Sequence, residues 1–141
     1  MILKGNQTTS SPPRLSLYIP LNPVPASRPR VTRWGVYYGK KYTQWRKDAE
    51  KYLLDNPPTV TQQFTQAVEL QLNHVVVKPR TSKLEYPRPD IDNYDKAAMD
   101  AITSYTDIWT DDCLVRKKLS HKQFAKTDTP QGTYITINNY K

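Results

Sequence analysis

The stretch Pro89-Asp90-Ile91-Asp92-Asn93-Tyr94-Asp95-Lys96 constrains the fold more than any other part of the chain, because its backbone must switch from extended to helical within a few residues. Pro89 disfavours helix for Arg88 before it, whereas the alanine-rich run 97–101 favours helix after it. Asp90 and Asp92 project to one side if the link between them is extended. With helix from about Asp92, Lys96 and Asp100 follow at i+4 spacing on one face, and Tyr94, Ala97, Ala98, Ala101 and Tyr105 form the opposite, mainly apolar stripe. The acidic face belongs at a cleft and the apolar face on a core.

A second acidic element follows in Ile108-Trp109-Thr110-Asp111-Asp112, where an aromatic anchor precedes paired aspartates. Three or four carboxylates can then converge beside a lysine. Hard divalent cations take oxygen ligands, and Mg²⁺ is usually held by one or two carboxylates together with water and phosphate oxygens. Such a cluster suits phosphodiester hydrolysis. A plainer reading competes with it: Asp is a favoured N-cap, Asp92 and Asp95 approximate a capping box, and Trp-Thr-Asp-Asp can be an ordinary turn.

Charge distribution supports a polyanionic partner. From Glu85 to Asp112 eight acids face two bases, a local balance of −6, while the rest carries 19 bases against 5 acids, or +14, in a chain of net +8. Lysines and arginines placed on phosphates release counterions, so a basic body favours nucleic acid. The acidic patch alone would repel that partner; cations bound in it reconcile the two. The 141 residues suit one domain with a modest core. The lone Cys113 excludes an internal disulfide framework, and no CxxC pair or His/Cys cluster offers a zinc site. A reducing cytoplasm is the expected compartment, with no membrane span and no signal peptide.

Residues 1–13 are polar and breaker-rich and read as a disordered lead-in to a single domain over 14–141. Leu15, Leu17, Ile19 and Leu21 alternate with other residues as in a half-buried strand. The segment 23–42 interleaves Arg28, Arg30, Arg33, Lys40 and Lys41 with Trp34, Tyr37, Tyr38 and Tyr42, the pattern of an extended arm or hairpin contacting DNA through phosphates and stacking. Its alternative is a surface loop whose aromatics fold back onto the core. Thr43 is positioned to cap a helix to about Leu54 with Trp45, Ala49, Tyr52 and Leu53 as its apolar stripe. Residues 67–77 read as a strand that holds His74 as a packed or exposed residue rather than a ligand. The basic loop 78–88, with Arg80, Lys83 and Arg88, leads into the acidic site. Residues 114–124, with Lys122, and 133–138 read as two further strands. This order predicts an α+β domain with a mixed or antiparallel sheet and helices packed on it.

Arg-Pro-Asp-Ile-Asp-Asn-Tyr-Asp-Lys-Ala-Ala-Met-Asp-Ala-Ile (88–102), Trp-Thr-Asp-Asp (109–112), the later Lys122 and Pro-Val-Pro-Ala-Ser-Arg-Pro-Arg (23–30) together resemble the RusA-type Holliday junction resolvases, a family of phages and prophages. The resemblance spans nearly the whole chain from about residue 15. It implies a RusA-like fold and a Mg²⁺-dependent, homodimeric endodeoxyribonuclease that resolves four-way DNA junctions by paired nicks, in recombination and repair. One or two ions are compatible with it, with Mn²⁺ as a substitute, and the setting is the cytoplasm of a bacterial host. Carried over by motif position, the catalytic carboxylates are Asp90, Asp92 and one of Asp111 and Asp112, with Asp112 favoured by register. Lys96 is the catalytic lysine and Asn93 a site neighbour. Pro89 departs from members that have a second basic residue there, and the span ahead of Trp109 is one residue longer than in some members, which leaves Asp111 and Asp112 both open as metal ligands. Two other classes remain compatible: a DNA-binding module of recombination or packaging whose aspartates only cap a helix, and a nuclease preferring flaps or forks.

Overall fold

The structure is a computed structural model and describes residues 14–141; the expected lead-in over 1–13 lies outside the described residues. The elements run β1 (Arg14–Ile19), β2 (Arg30–Thr32), β3 (Gly35–Tyr37), α1 (Lys40–Asp55), β4 (Val68–Val76), α2 (Ile91–Tyr105), a 3₁₀ turn (Asp112–Leu114), β5 (Val115–Phe124) and β6 (Gly132–Asn139). Four strands form one mixed sheet in the order β1-β6-β4-β5, and β2 and β3 form a separate hairpin. Two helices packed on that sheet make the expected α+β domain.

Alternation sets each strand's register. Leu17 and Ile19 of β1 point inward and stand opposite Ile135 and Thr133 of the antiparallel β6. The central strand β4 buries Val68, Leu70 and Leu72 on one face, then becomes buried on both faces at His74, Val75 and Val76. It pairs antiparallel with β6, Leu70 opposite Ile137, and parallel with β5, Leu70 opposite Lys118. A parallel pair needs a crossover, and α2 supplies it. The chain therefore leaves β4, passes through the basic loop, enters α2 at the acidic motif and returns along β5. On its exposed stretch, the edge strand β5 carries Arg116, Lys117 and Lys118, charges that discourage edge-to-edge association.

The α1 stripe is Tyr42, Trp45, Ala49 and Leu53, all buried, with Tyr52 packed against the same core. The helix begins at Lys40, three residues before the expected cap. The Thr43 N–H already bonds the Gly39 carbonyl at 3.0 Å, so Thr43 lies inside the first turn and Gly39 is the cap. Behind α2, Trp109 is fully buried and donates its indole N–H to the Thr103 hydroxyl at 2.7 Å, which pins the second acidic element to the helix.

Gly132 starts β6 at φ +142°, and a Cβ there would fall 2.7 Å from the Ile19 carbonyl and against the Tyr18 ring. Gly132→Ala is expected to lower unfolding free energy by at least ~1–3 kcal/mol from backbone strain, with overpacking adding to it. Urea denaturation measures this; an unchanged midpoint would show that the β1–β6 edge relaxes freely.

Candidate active site

The head of α2 is built as the motif requires. Asp90 holds extended backbone (φ −62°, ψ 135°) and Ile91 opens the helix. The Asp90 carbonyl accepts from Asn93 N–H at 3.1 Å and Tyr94 N–H at 3.4 Å, while its carboxylate makes no capping hydrogen bond. Asp90 and Asp92 are both exposed, with Ile91 half-buried between them. Neither a side-chain cap nor a capping box is formed, because Asp95 turns away from the helix start and into the core. Lys122 fixes the approach: its ammonium donates to the Pro89 carbonyl at 2.8 Å and stands 5.5 Å from the Tyr86 ring centre.

The second element meets α2 about a turn further along. Asp111 accepts the Cys113 N–H at 3.2 Å and caps the 3₁₀ turn. Asp112 is half-buried beside it, and its carboxyl is pushed above the usual carboxylate range by partial burial, then by Asp111 and Asp100, against the opposing pull of Lys96. Lys96 and Asp100 pair at 3.3 Å. The fold thus brings Asp112, Asp111, Asp100 and Lys96 into one electrostatic neighbourhood, with Asp90 and Asp92 exposed at the head of the same helix. Among the described residues no three His, Cys, Asp or Glu side chains close around a metal position. The structure does not close Asp90, Asp92 and Asp112 into one cluster, and open carboxylates of this kind fit an ion that keeps water and substrate oxygens in its shell.

The residue that sequence reasoning misses is Asp95. It is 1% exposed; one carboxylate oxygen meets His74 Nε2 at 2.7 Å, and the other accepts from the Ser120 hydroxyl at 2.7 Å and the Lys118 ammonium at 3.0 Å. Burial alone would raise its carboxyl, but hydrogen bonds from His74, Ser120 and Lys118 and the Lys118 charge outweigh burial and hold it below the usual range. His74 stacks on Tyr94 at 5.4 Å, as a packed strand residue. This network rivets α2 to β4 and β5 one residue before Lys96.

Basic residues lie on the two segments that adjoin α2, the arm and the loop before it. The arm is tied to α2 by the Ala26 N–H on the Asn93 carbonyl at 2.9 Å, and its base is closed by the Gly39 N–H on the Ser27 hydroxyl at 3.0 Å. Arg28, Arg30, Arg33, Lys40 and Lys41 are exposed along it, and Trp34 at the hairpin tip is 75% exposed with the Arg33 guanidinium 4.8 Å from its ring. Arg80, Lys83 and Arg88 are exposed on the loop before α2.

Carboxylates and a lysine thus lie on a helix that the basic arm grips by its backbone, a composition suited to contact with phosphates. The chain belongs to the RusA family: the family model described as Endodeoxyribonuclease RusA matches residues 20–138. It is accordingly an endodeoxyribonuclease of the Holliday junction resolvase type, a hydrolase. Comparison with curated proteins returns no significant match. No helix among the described residues is long and apolar enough to cross a membrane.

Proposed function

We propose that the chain resolves four-way DNA junctions by Mg²⁺-dependent paired nicks as a homodimer, with Asp90, Asp92 and Asp112 as metal-holding carboxylates and Lys96 as the charge-stabilising group. The observation that carries this reading is the Asp112 carboxyl, raised by partial burial and by the like charges of Asp111 and Asp100, a repulsion that a bound cation would relieve. When bound, a divalent ion lowers the pKa of a coordinated water and neutralises phosphate charge.

The protein's own groups divide the remaining work. Asp112 is favoured over Asp111 as the functional member because the Asp111 carboxylate is engaged on the Cys113 N–H. Lys96, 65% exposed in its side chain, is free to reach a phosphate or leaving oxygen once Asp100 releases it. Lys122 holds the backbone entering Asp90. The arm and the 78–88 loop hold flanking phosphates, and Trp34 offers a stacking face for an unpaired base. One carboxylate constellation per chain provides one nick, and a two-fold symmetric substrate then calls for a two-fold symmetric pair of chains.

Lys96→Ala is expected to slow single-turnover cleavage by about 10²-fold or more, the scale of removing one preorganised donor to developing charge. Near-normal turnover would leave Lys96 as no more than the helical partner of Asp100. A panel of four-way junction, flap, fork and duplex, each labelled on every strand, tests the function. Symmetric nicks in two opposed strands of the junction are expected, and wild type mixed with Asp92→Asn chains should give single nicks. Preferential cutting of flaps or forks would overturn the junction assignment, and paired cuts by a chain that sediments as a monomer would overturn the dimer.

A further inference from the structure

Between the base of the arm, α1 and α2 lies a cleft of about 520 Å³ lined by Arg28, Tyr38, Tyr42, Arg46, Lys96 and Asp100. Its volume falls among those of ordinary ligand clefts, roughly 300–1,000 Å³. Three cations face one carboxylate there, and Asp100 is already paired with Lys96. Arg46 stands apart from the other bases of the site. Its guanidinium lies 5.3 Å from the Tyr38 ring centre and 5.7 Å from that of Tyr42, with the Tyr105 hydroxyl as a neighbouring acceptor. Among the described residues no carboxylate forms an ion pair with it. With Tyr105 taking one hydrogen bond, the guanidinium still has further N–H donors, and two of them match two oxygens of a phosphate. Tyrosine packing also removes rotamer freedom that an exposed lysine or arginine would lose only on binding.

We propose that Arg46 anchors a phosphate subsite of the DNA strand, in the cleft shared with Lys96, and so positions the backbone next to the phosphate that is cut. The walls suit this role because both are tied down: Ala26 to the Asn93 carbonyl, and Gly39 to Ser27. The ligand class is a phosphodiester, and the contact is charge-assisted and independent of base identity. This inference rests on the nuclease reading in that it places the subsite beside Lys96, but its test reads binding and not cleavage.

The experiment is a scan of single methylphosphonate substitutions along the strand around the cut site, with affinity for a four-way junction measured in Ca²⁺. In wild type, neutralising one particular flanking phosphate should weaken binding about tenfold, the scale of one charge-assisted contact. In Arg46→Gln that position should carry no further penalty, and the slope of log K against log salt should fall by roughly one. Arg46→Lys, which keeps the charge but not the fork, should retain the salt slope and lose most of the position-specific penalty. Should Arg46→Gln prove misfolded by thermal denaturation, the Arg46→Lys profile decides the matter alone. A methylphosphonate profile in these variants that superimposes on wild type would overturn the subsite and reduce Arg46 to a bridge between α1 and Tyr105. Failure of the junction reading looks different: wild type would bind the junction no more tightly than duplex, whatever Arg46 does.

Discussion

Asp112→Asn is expected to reduce junction cleavage by at least about 10³-fold, leave junction binding intact or tighter, and raise the melting temperature at neutral pH. Loss of activity follows if Asp112 is the carboxylate that holds the ion, since an amide keeps the shape but not the charge, and preorganised charge-stabilising groups act on this scale. Gain of stability follows from the same geometry. The Asp112 carboxyl is pushed up by partial burial and by Asp111 and Asp100. A carboxyl whose folded pKa is raised contributes stability that is fully present below its unfolded pKa and is lost as pH rises through the folded value. At pH 7 the charged group therefore opposes folding, and the amide removes that opposition. Melting curves of the two proteins should differ most at neutral pH and converge as the solution is acidified toward the range where Asp112 is protonated. Retained cleavage would remove Asp112 from the chemistry, and a lowered melting temperature at pH 7 would show its carboxylate to be structural.

Asp95→Ala has the opposite profile, and its effect on stability is the largest expected of any substitution at the site. Removing the carboxylate leaves His74 buried with neither ring nitrogen partnered among the described residues, where Nδ1 already lacks a partner, and strips Lys118 and Ser120 of this acceptor. Breaking a buried ion pair from one side typically costs about 3–5 kcal/mol. The Asp95 carboxyl is held below the ordinary range, so its contribution is present above the unfolded aspartate value of about 3.9 and is lost as pH falls through the lower folded value. Urea denaturation should show the full deficit at pH 7 and a narrowing gap in strong acid. A deficit under about 1 kcal/mol at pH 7 would mean that water enters and replaces the carboxylate.

Much of the site is legible in the sequence because its signals are local. Pro89 followed by an alanine-rich segment marks the start of α2, and Tyr94, Ala97, Ala98 and Ala101 are buried as their spacing requires. Trp109 is the anchor its position suggests. Strands β1, β4 and β6 follow their apolar alternation. The start of α1 is not legible, because Gly39 caps it with backbone alone and the first residues, Lys40 and Lys41, carry no side-chain start signal.

Asp95 escapes sequence reasoning for a different reason. On a helix that begins with two other aspartates it looks like one more surface acid, and its partners His74, Ser120 and Lys118 come from strands more than twenty residues away on either side. A faint signal exists in the i, i+3, i+7 series Asp95, Ala98, Ile102, which lies within the buried stripe. His74, flanked by the buried Leu72, Val75 and Val76, is its counterpart. Arg46 gives no signal at all, since an arginine on an amphipathic helix is ordinary until Tyr38 folds over it. The parallel pairing of β4 with β5 likewise depends on how the crossover packs, which no single segment encodes.

If the acids at the head of α2 and in the Asp111–Asp112 turn act with a divalent ion on branched DNA, cleavage must depend on both the ion and the carboxylates. A Mg²⁺ titration of the wild-type protein and Asp92→Asn on one synthetic four-way junction, with all four strands labelled and binding followed in parallel, measures both dependences. No cleavage is expected in chelator, symmetric nicks in two opposed strands should appear with Mg²⁺, and Asp92→Asn should bind the junction at least as well as wild type yet not cut it at any Mg²⁺ concentration. Cleavage that persists in chelator, or an Asp92→Asn protein that cuts like wild type, would contradict that mechanism.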